Sequence, residues 1–157
     1  MKKLLSTNQN SDSTHVALLI ARVGIAALML THGLPKMAML FSGEPVKFLP
    51  FMGMSPEISL GLAVFAEVFC SLFLLLGFAT RIAVIPLVIT MLVALANVHA
   101  ADPISKQEPA LHYLLVYIVL LLTGSGKYSI DALLQRKNAT SPYRKTRLED
   151  PKVAIYQ

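Results

Sequence analysis

Four apolar runs separated by short polar links set the pattern of the chain. The clearest is Ile58 to Leu76, ISLGLAVFAEVFCSLFLLL, whose only charged residue is Glu67 at its midpoint. An apolar run of this length spans a bilayer as a helix, because backbone groups in hydrocarbon are satisfied only by hydrogen bonds within the segment. Glu67 is thereby placed near mid-membrane. A carboxylate at that depth costs at least about 3 kcal/mol unless it is protonated, hydrated or paired, so other helices should supply a partner.

The first run, Val16 to Leu34 (VALLIARVGIAALMLTHGL), follows Thr14 as a plausible N-cap and holds Arg22 and His32 within its length. Lys36 comes just after Pro35, where a lysine can snorkel to the interface. At about 100° per residue, Arg22, His32, Gly33 and Lys36 share roughly a third of the helix circumference. The segment Phe41 to Pro56 is punctuated by Gly and Pro yet carries Phe48, Leu49, Phe51, Met52 and Met54, and reads as an outer loop dipping into the interface or capping the bundle. The link GFATR, Gly77 to Arg81, is short enough to force the second and third spans to be antiparallel neighbours.

The third run, Ile82 to Ala100, contains Pro86 and ends with Asn97 and His99. A fourth, with LHYLLVYIVLLLT as its clear part, begins around Glu108 or Pro109 and is stopped by Gly124 and Gly126. Ser129 can then cap a short helix, SIDALLQRK, with Asp131 in its first turn and a place on the membrane surface. The predicted architecture is all-α, a polytopic four-transmembrane-helix bundle with a short C-terminal amphipathic helix. Its membrane domain covers residues 15–135, with spans at about 16–40, 57–77, 81–100 and 108–124. A disordered polar tail, 1–14, precedes it, and a basic tail, 136–157, follows.

Composition agrees with that class. The chain of 157 residues is 55% hydrophobic and only 15% charged, too apolar for a soluble domain of this size. Its formal charge of +5 is gathered at the two ends and in one loop, which suits membrane topology and, with no nucleic-acid-binding motif, excludes a nucleic-acid surface. Lys2, Lys3, Arg81, Lys127, Arg136, Lys137, Arg144, Lys145, Arg147 and Lys152 fall on one side of the four-span arrangement, against Lys36, Lys47 and Lys106 on the other. Both termini are therefore expected in the cytoplasm. The single cysteine, Cys70, permits no disulfide, CxxC pair or cysteine zinc site within one chain.

The polar residues inside the spans carry the candidate chemistry. Arg22 lies three residues before the midpoint of span one, about 4.5 Å toward the cytoplasm, and its long side chain can bridge to Glu67. Arg22 and Glu67 form the expected intramembrane pair, either locking two helices or handling protons, with Cys70 and Ser71 one turn on from the carboxylate. Toward the other surface, His32, Asn97, His99, Glu108 and His112 are expected at one depth, with Lys36 nearby. Such a set can hydrogen-bond a quinone head group or pass protons. It could also take a first-row metal, but helix ends converge less reliably than residues of one motif, and no metal is assigned. The catalytic candidates are Glu67, Arg22 and His32. The candidates for holding a quinone are His32, Lys36, Asn97, His99, Glu108 and His112. The methionines follow no repeated spacing and read as packing residues.

Arg22, THGLPK (Thr31 to Lys36), AEVFCSLFLLLGFATR (Ala66 to Arg81) and EPALHYLLVYIVLLLTGSGKYSID (Glu108 to Asp131), in that order, closely resemble the DoxX family of small bacterial membrane proteins. The likeness spans nearly the whole chain apart from its tails. The family pattern falls on Arg22, His32, Gly33, Lys36, Glu67, Gly77, Arg81, His112, Ser129 and Asp131. The resemblance implies a four-helix membrane bundle and an association with redox functions, the family's name deriving from a thiosulfate:quinone oxidoreductase. The expected function is a membrane subunit of a quinone-linked redox complex, without a redox centre of its own and working with a protein partner or as a homo-oligomer. The alternatives are a membrane scaffold or assembly factor whose basic tail docks a partner, and a small-molecule or ion carrier.

Overall fold

The computed structural model describes residues 11–139, and every element in it is helical. Helix α1 runs Ser11–Leu40, α2 Pro56–Leu76, α3 Thr80–Val98, α4 Ile104–Thr123 and α5 Ile130–Ala139. By length and composition, α1, α2 and α3 can each cross a membrane. Helix α4 has 20 residues but begins with Lys106 and Glu108, which shorten its apolar stretch.

The boundaries move outward from those expected. Residues 11–14, assigned above to a disordered tail, form the first turn of α1, and α4 starts four residues earlier than expected, after Pro103. Helix α5 continues to Ala139, so its last turns take the start of the expected basic tail. The remainder of the two expected tails, residues 1–10 and 140–157, lies outside the described residues.

Helix α1, with 30 residues, is about 45 Å long, half again the hydrocarbon thickness. That excess carries its ends past the spans of its neighbours. At one end His15 meets the loop after α4, where its Nδ1 accepts the Lys127 N–H at 3.4 Å, and Asp12 pairs with the Lys127 ammonium. At the other end Met37 and Leu40 pack with Val46 and Phe48 of the following loop on a cluster of Leu60, Val64 and Val68. That loop caps the bundle as the sequence suggested.

The main core joins all four long helices through Ala26 and Met29, Cys70 and Leu74, Ala83, Val84, Leu87 and Met91, and Tyr117 and Leu120. Large apolar side chains also cover the outside, among them Ile20, Ile82 and Leu122, each at least two-thirds exposed. An apolar exterior around a packed interior is what lipid as solvent favours.

Two stretches depart from the α-helical repeat. Phe65–Cys70 in α2 and Ala94–Val98 in α3 are wound as π-helix, a form that recurs at functional sites because it re-aims side chains and loosens the hydrogen-bond ladder. Both face the same cleft.

Candidate functional site

Gly33 sets the geometry of the cleft. A Cβ there would lie 2.8 Å from Val68 Cγ2 and 2.9 Å from the Glu67 carbonyl carbon, so only glycine lets α1 approach the π segment of α2 this closely. Lys36, three residues further along α1, then reaches the Glu67 carboxylate, and its Nζ donates to Oε1. Glu67 is buried, and its second oxygen, Oε2, has no hydrogen-bond partner in the structure.

This replaces the expected Arg22–Glu67 pair. The helices are antiparallel in a register that sets Gly33 against Glu67 and Arg22 against Gly77. Arg22 is therefore about ten residues, or roughly 15 Å along the axis, from the carboxylate. The expected offset assumed that the two spans align midpoint to midpoint, whereas the register is set by Gly33, which lets α1 touch α2 at Glu67 and Val68. Lys36 turns its ammonium to the carboxylate while its side chain stays part-exposed, because leaving the buried Glu67 unpaired is the costlier alternative.

Arg22 is buried with the loop after α4. Its Nη1 donates to the Ser125 carbonyl at 3.0 Å and its Nη2 to that of Tyr128 at 2.8 Å. Gly77, at φ +67°, makes room for the guanidinium: a Cβ would sit 2.6 Å from Arg22 Cζ and equally close to Ser129 Cβ. Ser129 Oγ caps α5 by accepting the Ala132 N–H at 3.1 Å. Asp131 does more than sit in the first turn. Its two oxygens accept the N–H groups of Ala79 at 2.7 Å and Thr80 at 3.1 Å, capping α3 from a different helix. Ala79 is held at φ +47°, and its own carbonyl accepts the Ile82 and Ala83 N–H groups. Burial raises the Asp131 carboxyl, but the Thr80 and Ala79 donors outweigh it and hold the group below its ordinary value of 3.8. Arg22 is thus part of a structural lock among α1, α2, α3 and α5.

The cleft itself encloses about 650 Å³ between α2 and α3. The Lys36–Glu67 pair lines it together with Ala66 and Phe65 of one π segment and Ala94, Asn97 and Val98 of the other. Phe48 to Phe51 form a further wall, held there because Ser59 Oγ accepts the Phe51 N–H at 2.9 Å and donates to the Ser55 carbonyl at 2.9 Å. Helix α3 runs unbroken past Pro86, where the Thr90 hydroxyl donates to the Pro86 carbonyl at 2.9 Å, and both residues face the cleft.

His99 stands at one edge, with its Nδ1 2.8 Å from Asp102 Oδ2. The His99 hydrogen bond, with the charge of Lys106, holds the Asp102 carboxyl below the usual range. Gln107 Nε2 donates to the carbonyls of His99 and Asp102 at 3.0 and 2.9 Å, which ties this corner to α4.

The expected outer cluster divides. Lys36, Asn97 and His99 line the cleft with Glu67, while His32, Glu108 and His112 are exposed and lie outside its lining. Helix α4 turns Tyr117 and Leu120 into the core, and that rotation leaves Glu108 and His112 on its outer surface. His32 instead meets the Tyr113 ring edge-on at 5.8 Å. Cys70 belongs to the apolar core, and the buried Ser71 hydroxyl has no partner, so neither solvates Glu67 as expected. Among the described residues no three of His, Cys, Asp and Glu come close enough to hold a metal ion. The Asp102 partner of His99 was missed, although the three-residue spacing at a helix end was its available signal. The cap from Asp131 to α3 had no local signal at all.

The family model for DoxX matches residues 17–100, which hold α1 from its second turn, α2, α3 and the cleft between them. The chain belongs to the DoxX family. No match is found among curated proteins or among solved structures. As a DoxX protein with three helices long and apolar enough to span, it is a membrane protein. Residues Ser129 and Asp131 of the lock lie beyond the matched region, while Arg22, Gly33, Lys36, Gly77 and Glu67 lie within it.

Proposed function

We infer that this DoxX protein is the membrane subunit of a quinone-linked redox complex, with both termini on the cytoplasmic side of a bacterial inner membrane. The observation that carries the reading is the buried Glu67 carboxylate, paired through one oxygen with Lys36 and unpartnered at the other, in the wall of an apolar cleft. A ligand suited to such a cleft has a flat apolar body and few polar atoms, the description of a quinone head group. Glu67 Oε2 would accept the hydrogen bond of a quinol hydroxyl and then its proton. Lys36 keeps the carboxylate in place as a nearby positive charge. His99, oriented by Asp102, and Asn97 offer polar contacts along the same cleft. A bound quinone would supply two-electron chemistry, its electrons passing to or from a redox centre on a partner subunit.

The test is binding of a short-chain quinone to the detergent-purified full chain. One charge-assisted hydrogen bond corresponds to roughly tenfold or more in affinity, so Glu67→Leu and His99→Ala should each weaken binding by about that factor. His32→Ala and His112→Ala, outside the cleft, should leave it unchanged. Absence of binding to wild type, or binding indifferent to both cleft substitutions, overturns the reading.

A further inference from the structure

A second cavity, also of about 650 Å³, lies at the opposite end of the bundle, where α1 begins, α3 starts and α4 hands over to α5. We propose that it binds the phosphate of an anionic phospholipid headgroup. Arg81, Lys127 and Arg136 line it with one carboxylate, Asp131, and Lys127 shares its charge with Asp12 beside the cavity. The Asp131 carboxylate is already engaged by the Ala79 and Thr80 N–H groups, so it opposes an incoming anion less than an unpaired one would.

Two of the three cations are held in place by their contacts. Arg81 Nη2 donates to the Leu122 carbonyl at 3.1 Å, which uses one of the five guanidinium donors and aims the fork across Gly124, whose Cβ position is 3.5 Å from Arg81 Nε. Lys127 is fixed by its pair with Asp12 and by the Tyr128 ring, 5.3 Å from its ammonium. The lining loop Gly124 to Gly126 has positive φ at both glycines, +80° and +71°, and turns its Ser125 carbonyl inward to Arg22. Because the peptide is trans, the Gly126 N–H is directed to the other side of the loop. Thr80, also in the lining, has a buried hydroxyl beside the Asp131 carboxylate.

The same phosphate chemistry could come from a soluble ion, but the surroundings favour a lipid. Ile82 and Leu122 are each 71% exposed and adjoin Arg81 and Thr123 in sequence, so apolar surface for an acyl chain begins at the cavity's edge. Basic pockets between helix ends are where anionic headgroups bind, at about 1 kcal/mol per cation near the surface, or roughly fivefold.

The experiment reconstitutes the full chain into vesicles of equal phosphatidylglycerol and phosphatidylcholine, re-extracts it, and quantifies retained lipid by mass spectrometry. Wild type should retain phosphatidylglycerol preferentially. Arg81→Gln and Arg136→Gln should each reduce that preference by about fivefold, while Lys47→Gln in the opposite loop should not. Arg136 is exposed, so its substitution keeps the test valid if Arg81→Gln fails to fold. Equal retention of the two lipids, or a preference untouched by both substitutions, overturns the proposal. Inorganic phosphate that binds wild type and not Arg136→Gln, with no lipid preference, assigns the cavity to a soluble ion and equally overturns it. Quinone binding is read separately, so either site can fail without the other.

Discussion

Lys36 reaches Glu67 from one turn beyond Gly33, the residue whose missing side chain brings the two helices together. The ion pair and the close approach are one feature, because a helix held further off would leave the lysine short of the carboxylate. An ion pair in a membrane interior is a weak source of stability, yet breaking it on one side exposes the full cost of the remaining charge.

That asymmetry gives the first prediction. Lys36→Met should destabilise the protein by about 3–5 kcal/mol, since it leaves Glu67 buried and unpaired. Lys36→Met with Glu67→Leu should recover most of the loss. Thermal unfolding in detergent measures both, and a double variant no more stable than the single one contradicts the pairing.

Gly33→Ala probes the approach itself. The added methyl meets Val68 Cγ2 and the Glu67 backbone, and backbone cannot swing aside as a flexible side-chain end can. Overpacking of this kind costs about 1–3 kcal/mol. Gly24→Ala, with nothing within 4 Å of the new Cβ, is the matched control and should be neutral or stabilising. Equal midpoints for the two variants would contradict the close contact.

At the other end, Arg22→Met should destabilise by about 3 kcal/mol or more, because the Ser125 and Tyr128 carbonyls lose their donor. Gly77→Ala should be similarly damaging, its φ of +67° and the guanidinium above it both opposing a Cβ. Hydrogen exchange across residues 124–132 reads the lock directly, and faster exchange there in either variant is the expected result. Protection equal to wild type would exclude a role for Arg22 in holding that loop.

Asp131 makes stability depend on pH. Its folded pKa lies below the ordinary 3.8, so the ionised form is favoured by the fold, and its contribution is fully present above 3.8. That contribution is lost as pH falls through the lower folded value. The protection of the Ala79 and Thr80 amides, taken relative to the intrinsic exchange rate at each pH, should therefore fall on acidification, and Asp131→Asn should show low protection already at neutral pH with no acid step. An acid step that survives the substitution would assign the titration to another group.

Much of this architecture was legible from local pattern. Long apolar runs, the GFATR link and the glycines after Thr123 announce helices and their ends, because lipid leaves the backbone few alternatives to a helix. The need of Glu67 for a partner was also legible, since burial of a charge is penalised wherever it occurs.

Which partner it takes was not. Register between two helices depends on where small residues allow contact, and Gly33 shifts α1 so that Lys36, rather than Arg22, meets Glu67. The rotation of α4 likewise left His112 and Glu108 outside the cleft, and the π segments gathered Asn97 with Glu67 at its walls. Sequence alone therefore determined the helices, the membrane class and the residues that need neutralising. Only tertiary packing decided their pairing, because sliding one helix along another costs nothing in local pattern yet changes every contact across the interface.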